Sequence, residues 1–290
     1  MGLLNSKKTH IQMISDKKIK LLEDGLILIR SFFDKKEIEL ILHDAKNIFK
    51  NQFKEVGLLD PNNWNVSQKE FNECLYQLFK QDRNRFINCG KQIQHLISLH
   101  RLGVNKRLIE LLNELGLENP NICTRPVLFF NHPKLATDAI YNKVEPHQDW
   151  KSMQGSINSL VIWTPLVDMN EELGSVKFLS KSHKKGLVTD RIKNGFGIVN
   201  LNEKEEELMT SFNMKVGDIV IFSSLLIHES GDNVTDSPRW SCHFRFNDLS
   251  DSSFIKRSYP NPYIYRPIDE MITANFPLPD DVNEYLNKKA

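Results

Sequence analysis

Apolar residues recur at helical spacing in the first part of the chain, and from about residue 122 they follow the shorter period of β-strands. The helical pattern begins after Asp34 and again after Ser67, and each residue is followed three positions later by a glutamate, as in a capping box. Two further patterns predict helices over 93–99 and 108–115. A β-prone apolar run over 25–33 predicts one strand ahead of them.

The second part of the chain consists of short β-prone runs separated by turn residues. These runs are Val127–Phe130, Ile157–Trp163, Ser175–Leu179, Gly197–Leu201, Asp218–Ile227 and Arg239–Phe246. Helices followed by strands predict an α+β fold in which helices buttress an all-β core.

Composition fits one globular domain. The chain has 290 residues, of which 40% are hydrophobic and 26% charged, and it contains no repeat and no linker rich in Gly or Pro. We expect a single domain over 1–290, with a helix-rich part to about residue 120, a strand core over about 121–250 and a C-terminal extension over 251–290.

Net charge and the placement of the cysteines argue against several classes of function. A net charge of +1 argues against nucleic-acid binding, and no apolar run reaches membrane-spanning length. The four cysteines form no CxxC pair, so neither a zinc knuckle nor a disulfide framework is indicated. We therefore expect a cytoplasmic protein that acts on a small molecule, while the sequence leaves the oligomeric state open.

A candidate metal site lies in the second part. His147 and Asp149 are two residues apart, so in a strand both side chains would project from one face. His228, at the end of the apolar run, supplies a third ligand. Two imidazoles and one carboxylate leave coordination positions open, which suits iron(II) that binds a co-substrate and dioxygen. Structural zinc would have all four positions filled, usually with sulfur.

Arg239 lies eleven positions after His228 and is placed to grip the distal carboxylate of 2-oxoglutarate in a bidentate manner. Its strand alternates in character: the apolar set is Trp240, Cys242, Phe244 and Phe246, and the polar set is Arg239, Ser241, His243 and Arg245. We predict that the polar set faces a pocket, where Ser241 assists Arg239. A polar face that simply meets water is the alternative.

With these residues in hand, the sequence resembles the phytanoyl-CoA dioxygenase-like family over most of its length. The resemblance rests on Asp24–Phe33 with the helix after it, on Pro146–Asp149 and on Val161–Leu166. Gly174–His183 corresponds to a family loop, although Ser180-Lys181 stands where the family has Pro-Gly.

The resemblance implies a double-stranded β-helix (jelly-roll) core and a 2-oxoglutarate-dependent dioxygenase. Its cofactors would be Fe(II), the co-substrate 2-oxoglutarate and O2, with release of succinate and CO2. Retention of the carboxylate at Asp149 favours hydroxylation over halogenation. The tryptophan of the strand after the metal motif, Trp163, would lie near the co-substrate.

The remaining candidates are contacts to small molecules. Tyr141 and Asn131 could hydrogen-bond the co-substrate carboxylate, although packing explains them equally well. Polar residues around the metal motif suit a small polar substrate, or else form a hydrophilic loop. Predicted substrate contacts are Gln148, Trp150, Lys143 and Arg245, and residues 153–156 could close over the site. A cupin-type jelly roll that binds metal but uses no keto acid is the competing interpretation.

Overall fold

The protein is described by a computed structural model that covers residues 16–62, 65–135, 143–188, 191–193 and 196–261. Tyr141 and most of the expected C-terminal extension lie outside these residues.

Nine helices occur in the described residues, together with three short 3-10 helices over Ile93–His95, Pro133–Leu135 and Ser182–Lys185. The helices are α1 over 16–24, α2 Lys35–Glu55, α3 Gln68–Gln81, α4 Arg83–Gln92, α5 Ile97–Gly103, α6 Lys106–Leu115, α7 Trp150–Met153, α8 Glu203–Glu207 and α9 Ser252–Lys256. None of the helices in this described part is both long and apolar enough to cross a bilayer.

The predicted helix starts are confirmed by their caps. The Asp34 carboxylate accepts a hydrogen bond from the backbone N–H of Lys36 at 2.9 Å, and the Ser67 hydroxyl accepts one from Glu70 at 3.2 Å. Helix α6 ends at Gly116, whose φ of 110° favours glycine. One continuous helix over 93–99 was the wrong prediction, because Leu96 is extended (ψ 132°) and separates a 3-10 turn from α5.

Helix α4 has no counterpart in the sequence predictions. Its start is nevertheless encoded, since the Asp82 carboxylate accepts from the Arg85 backbone N–H at 2.9 Å. Its buried residues Phe86 and Cys89 stand three apart, which is helical spacing.

Eleven strands occur in the described residues, and every predicted β-prone run overlaps one of them. They are β1 Leu26–Ile29, β2 Pro120–Ile122, β3 Val127–Asn131, β4 Leu160–Pro165, β5 Lys177–Phe178, β6 Arg191–Lys193, β7 Phe196–Ile198, β8 Thr210–Ser211, β9 Ile219–Ser223, β10 His228–Glu229 and β11 Arg239–Asp248.

All pairings among these strands are antiparallel. The major sheet has the order β1-β9-β4-β11-β2, with β3 also paired to β11. A minor sheet has the order β10-β5-β8, and β6 pairs with β7. This arrangement, with helices on one side, confirms the predicted α+β jelly-roll fold.

The main hydrophobic core lies between the helices and the outer face of the major sheet. The apolar residues of β11 face it, and Trp240 lies against Phe49 of α2 and Phe130 of β3, at ring-centroid distances of 6.3 and 4.6 Å. Helix α5 approaches β11 closely at Gly103, where an added Cβ would lie 2.7 Å from the Phe244 ring. The helices thereby fix the strand whose other face carries the polar residues.

Candidate metal and co-substrate site

A cavity of about 260 Å³ lies between the major and minor sheets. The polar set of β11, Arg239, Ser241, His243 and Arg245, lines one side of it. The prediction that this face lines a pocket is therefore confirmed, and the solvent-facing alternative is excluded.

The three predicted metal-binding side chains meet at this cavity. His147, Asp149 and His228 each offer a ligand atom, and these atoms lie within 4.8 Å of one another. All three side chains are buried. His147 and His228 also exchange backbone hydrogen bonds of 3.0 and 3.1 Å, which join their two segments at the site.

Both imidazoles are held in the same tautomer. His147 Nδ1 is 2.8 Å from the carbonyl oxygen of Glu145, and His228 Nδ1 is 3.0 Å from that of Leu226. A carbonyl oxygen only accepts hydrogen bonds, so each Nδ1 carries a proton, and Nε2 is the ring nitrogen that remains to bind a metal. Burial, with the neighbouring His147, lowers the pKa of His228 to about 3, so this ring is neutral at physiological pH.

Asp149 reaches the cluster by a route that the sequence did not predict. A strand over 147–149 was expected, but His147 makes only isolated bridges to Ile198 and His228. Asp149 has helical dihedrals (φ −63°, ψ −30°) and is the N-cap residue of α7. The two side chains converge because the chain turns there, and not because they share a pleated face.

The Asp149 carboxylate is ion-paired inside the protein. Arg245 donates to it from Nε (to Oδ2, 2.9 Å) and from Nη2 (to Oδ1, 3.0 Å). Oδ1 is 3.5 Å from His147 Nε2. Burial alone would raise the pKa of Asp149, but the opposing charge of Arg245 outweighs it and holds the pKa well below its ordinary value.

Arg239 is a buried cation at the other end of the cavity. It is 1% exposed, and it donates from Nη1 to the carbonyl of Gly174 and from Nη2 to the Ser230 hydroxyl at 3.3 Å. Its guanidinium also lies 5.7 Å from the Phe129 ring centroid. Burial lowers the pKa of Arg239 to about 10, which leaves it protonated at neutral pH.

No carboxylate among the described residues pairs with Arg239, and its Nε has no hydrogen-bond partner there. A buried charge is costly without a counter-ion. The arrangement therefore fits an anionic ligand that enters the cavity.

The other predicted co-substrate contacts differ in whether they line the cavity. Ser241 and Trp163 line the cavity, and the buried Ser241 Oγ has no partner in the described part of the chain. Asn131 is buried opposite Arg239 across β3 and β11 but does not line the cavity. Tyr141 lies outside the described residues.

Among the predicted substrate contacts, only Arg245 lines the cavity. The Gln148 side-chain amide forms hydrogen bonds with backbone groups. It donates to the carbonyls of Gly186 (2.8 Å) and Leu225 (2.6 Å), and it accepts from the N–H of Val188 (2.7 Å). It therefore braces two loops instead of facing a substrate.

Trp150 and Lys143 are also outside the cavity lining. Trp150 Nε1 donates to the carbonyl of Ser156 at 3.1 Å. Lys143 pairs with Asp232 at 3.2 Å and with Glu229 at 3.7 Å. Glu229 lines the cavity, so the ion pair with this carboxylate links Lys143 to the cavity wall.

Residues 153–156 do not form the expected closing lid. Met153 and Ser156 are fully buried. Arg257 donates to the carbonyl of Gln154 at 2.8 Å, and the Ser156 N–H donates to Asn247 at 3.3 Å. The segment is anchored to β11 and α9.

Several residues at the cavity were not predicted as part of the site. Ser230 lies two residues after His228 and holds Arg239, and its spacing was the available signal. Thr124, Arg125 and Glu229 also line the cavity. They lie in or beside short strands, where periodicity is too brief to indicate which way a side chain points.

Comparison with known proteins identifies the family to which the chain belongs. The model of the phytanoyl-CoA dioxygenase (PhyH) family matches residues 21–241. The human peroxisomal phytanoyl-CoA dioxygenase is 24% identical over 242 residues, or 78% of this chain and 66% of that protein. The Arabidopsis thaliana phytanoyl-CoA dioxygenase is 26% identical over 200 residues, or 65% and 69% of the two chains. The chain thus spans just under two thirds of the human relative.

Solved structures share the fold. The epimerase SnoN, in complex with Fe³⁺, alpha-ketoglutarate and nogalamycin RO, superposes with a TM-score of 0.56 at 18% identity. The superposition covers 82% of this chain and 85% of SnoN.

Fold and site together define the class of protein, a jelly-roll protein with a buried cluster of two histidines and one aspartate that could hold a metal ion. Within that class, the chain belongs to the phytanoyl-CoA dioxygenase family, as the sequence resemblance predicted.

Proposed function

We propose that the protein oxidises a small polar metabolite, with iron(II) held by His147, Asp149 and His228 and 2-oxoglutarate held by Arg239. The reaction would consume O2 and release succinate and CO2. One observation carries the proposal: a buried, uncompensated guanidinium lines the same cavity as a two-histidine, one-carboxylate cluster.

The donor set fits iron(II). Two imidazole Nε2 atoms and a carboxylate oxygen are donors that this ion accepts, and no cysteine of the described residues lines the cavity. When bound, iron(II) would supply the centre at which the keto acid and dioxygen react. The residues of the chain would bind and orient the partners around it.

The co-substrate would lie along β11. Its distal carboxylate would meet Arg239 and the Ser241 hydroxyl, since both groups have unused hydrogen-bonding capacity among the described residues. The Ser230 hydroxyl accepts from Arg239 and can therefore direct its own proton into the cavity. Phe129, Trp163 and Phe222 would exclude water from the space around the keto acid.

Cavity size and charge support a small polar substrate. A volume of about 260 Å³ must hold both the keto acid and the reacting part of the substrate. Thr124, Arg125, Glu229 and His243 provide polar contacts. The lining contains three arginines and two carboxylates, so its net charge of +1 favours a substrate that is neutral or anionic.

Anaerobic titration of the iron(II)-loaded protein with 2-oxoglutarate tests the proposal. We expect the absorption band of the iron–keto-acid chelate, and then succinate when oxygen and a substrate are supplied. Arg239→Met should bind iron(II) as the wild type does but lose the band at keto-acid concentrations that saturate the wild type.

The competing cupin-type function predicts a different pattern. In that case the wild type would bind metal without giving the band, and Arg239→Met would leave its activity intact. Either result would contradict the proposed function.

A further inference from the structure

Arg245 engages both oxygens of the carboxylate in the metal cluster. Its Nε is 2.9 Å from Asp149 Oδ2 and its Nη2 is 3.0 Å from Oδ1. Asp149 is 3% exposed, so the two charges face each other with little water between them. This fork-on-carboxylate geometry is the strongest form of arginine–carboxylate pair.

Both partners of this pair are fixed by rigid elements. Arg245 is in β11, where it pairs with Val161 of β4. Asp149 is the N-cap residue of α7, and its backbone oxygen accepts from the N–H groups of Ser152 and Met153, each at 3.1 Å. The loop after α7 is tied to β11 through Asn247. The orientation of the carboxylate is thus set before any metal binds.

The two oxygens of Asp149 are not equivalent. Oδ1 lies 3.5 Å from His147 Nε2 and so borders the place where a metal would bind. Oδ2 is paired with the guanidinium Nε. A carboxylate oxygen has two lone pairs, so Oδ1 can keep its bond to Nη2 and still ligate a metal.

We propose that Arg245 is a positioning residue that commits Asp149 to metal coordination through Oδ1 alone. A carboxylate free to chelate through both oxygens would take up a further coordination position. The proposed function requires that position for the keto acid or dioxygen, so the inference rests on the proposed function. Groups that hydrogen-bond a metal ligand from outside the coordination sphere commonly change metal affinity by about 10–100-fold.

This role replaces the predicted role of Arg245 as a substrate contact. Its Nε and Nη2 donate to Asp149, so these two nitrogens cannot at the same time bind a substrate carboxylate in a bidentate manner. Arg239, in contrast, forms no ion pair with any described carboxylate. One strand therefore carries two arginines with different tasks.

Titration of the apoprotein with Co(II) tests the inference without any turnover. We expect Arg245→Met to bind Co(II) about 10–100-fold more weakly than the wild type, with Arg245→Lys in between because it keeps the charge but not the fork. At saturating Co(II), the affinity for 2-oxoglutarate should also fall in Arg245→Met, by about 10-fold.

A matched control is Arg30→Met. Arg30 also pairs with a buried aspartate, Asp218, at 2.7 Å, but it does not line the cavity. Its loss should leave Co(II) affinity unchanged. If Arg245→Met does not fold, as judged by circular dichroism, the Lys variant decides the question by the same titration.

A double-mutant cycle with Asp149→Asn shows whether Arg245 acts through Asp149. In the Asn background, Arg245→Met should cause no further loss of Co(II) affinity. An equal further loss, or wild-type Co(II) and keto-acid affinities in Arg245→Met, would overturn the inference. Failure of the proposed function would look different, because the wild type itself would then give no iron–keto-acid band.

Discussion

Arg239 is a buried charge that no carboxylate of the described residues neutralises. The protein surrounds its guanidinium with a carbonyl, a hydroxyl and an aromatic ring, but with no carboxylate among the described residues. Removing such a charge from water costs several kcal/mol, and neutral hydrogen bonds recover only part of that cost. The apoprotein therefore holds an unfavourable charge that a bound dicarboxylate would relieve.

We accordingly expect that Arg239→Met does not destabilise the apoprotein. Its free energy of unfolding in urea should equal or exceed that of the wild type, by up to about 2 kcal/mol, because the buried charge is gone. Keto acid with a metal should stabilise the wild type but not the variant. A loss of more than about 2 kcal/mol in the variant would show that Arg239 is a structural group, since breaking a needed buried interaction costs at least that much.

The histidines of the cavity predict a second effect, on acid stability. Burial lowers the pKa of His228 to about 3 and that of His243 well below its ordinary value. Below about pH 6.5 these two histidines take up protons in the unfolded chain but stay neutral in the folded protein. Stability of the apoprotein should therefore fall as the pH drops from 6.5 toward 3, by at most about 1.4 kcal/mol per pH unit for each of these histidines.

Urea unfolding at pH 7.5, 6 and 5 measures this dependence. Asp149 does not obscure the comparison, because its pKa is lowered and its stabilising contribution is lost only at pH values below about 4. His243→Phe should reduce the slope of the free energy of unfolding against pH by the contribution of one histidine. A stability that stays constant between pH 7.5 and 5 would contradict the prediction.

At the scale of elements, β11 joins the helical layer to the site. Its even-numbered apolar residues pack under the helices and its odd-numbered residues from Arg239 to Arg245 face the cavity. This division was predictable from the sequence alone, because apolar and polar residues alternate along β11 and successive side chains of a strand point to opposite faces. The same period located Ser241 and Arg239 in the pocket.

Local pattern was insufficient where contacts from distant segments decide the conformation. Three residues, His147 to Asp149, looked like a strand, but Asp149 turns into α7 and Gln148 is held by loop carbonyls more than thirty residues away. The partner of Arg245 is 96 residues earlier in the chain. No periodicity reports such pairings, so nothing in the sequence distinguished a substrate contact from a carboxylate partner at this position.

The contact between α5 and β11 predicts a third effect. Gly103→Ala would place a methyl group 2.7 Å from the Phe244 ring, and overpacking of this kind costs about 1–3 kcal/mol. Thermal or urea unfolding measures the loss. In the double variant with Phe244→Leu, the added methyl should cost less than it does alone, since the smaller side chain leaves room for it. Equal costs in both backgrounds would refute close packing at this point.

At the scale of the whole molecule, the site connects the two sheets. His228 belongs to the minor sheet through β10, whereas Arg239 and Arg245 belong to the major sheet through β11. His147 bridges to His228, and Asp149 leads into α7. The class of fold was predictable from the order of helices and strands, but this meeting of sheets exists only in the folded chain.

A metal and a keto acid bound together should therefore link the two sheets and stabilise them jointly. With Mn(II) and 2-oxoglutarate each at about 100 times its dissociation constant, linkage gives about 2.7 kcal/mol for each ligand. We expect the joint rise in Tm to exceed the sum of the separate rises, because without metal the keto acid has only Arg239 and its neighbouring hydroxyls to bind. Differential scanning fluorimetry measures all four combinations. Arg239→Met should retain the rise with Mn(II) alone and lose the increment from the keto acid. Additive shifts in the wild type would mean that the two ligands bind independently, and hence that the keto acid does not bind on the metal held between the sheets.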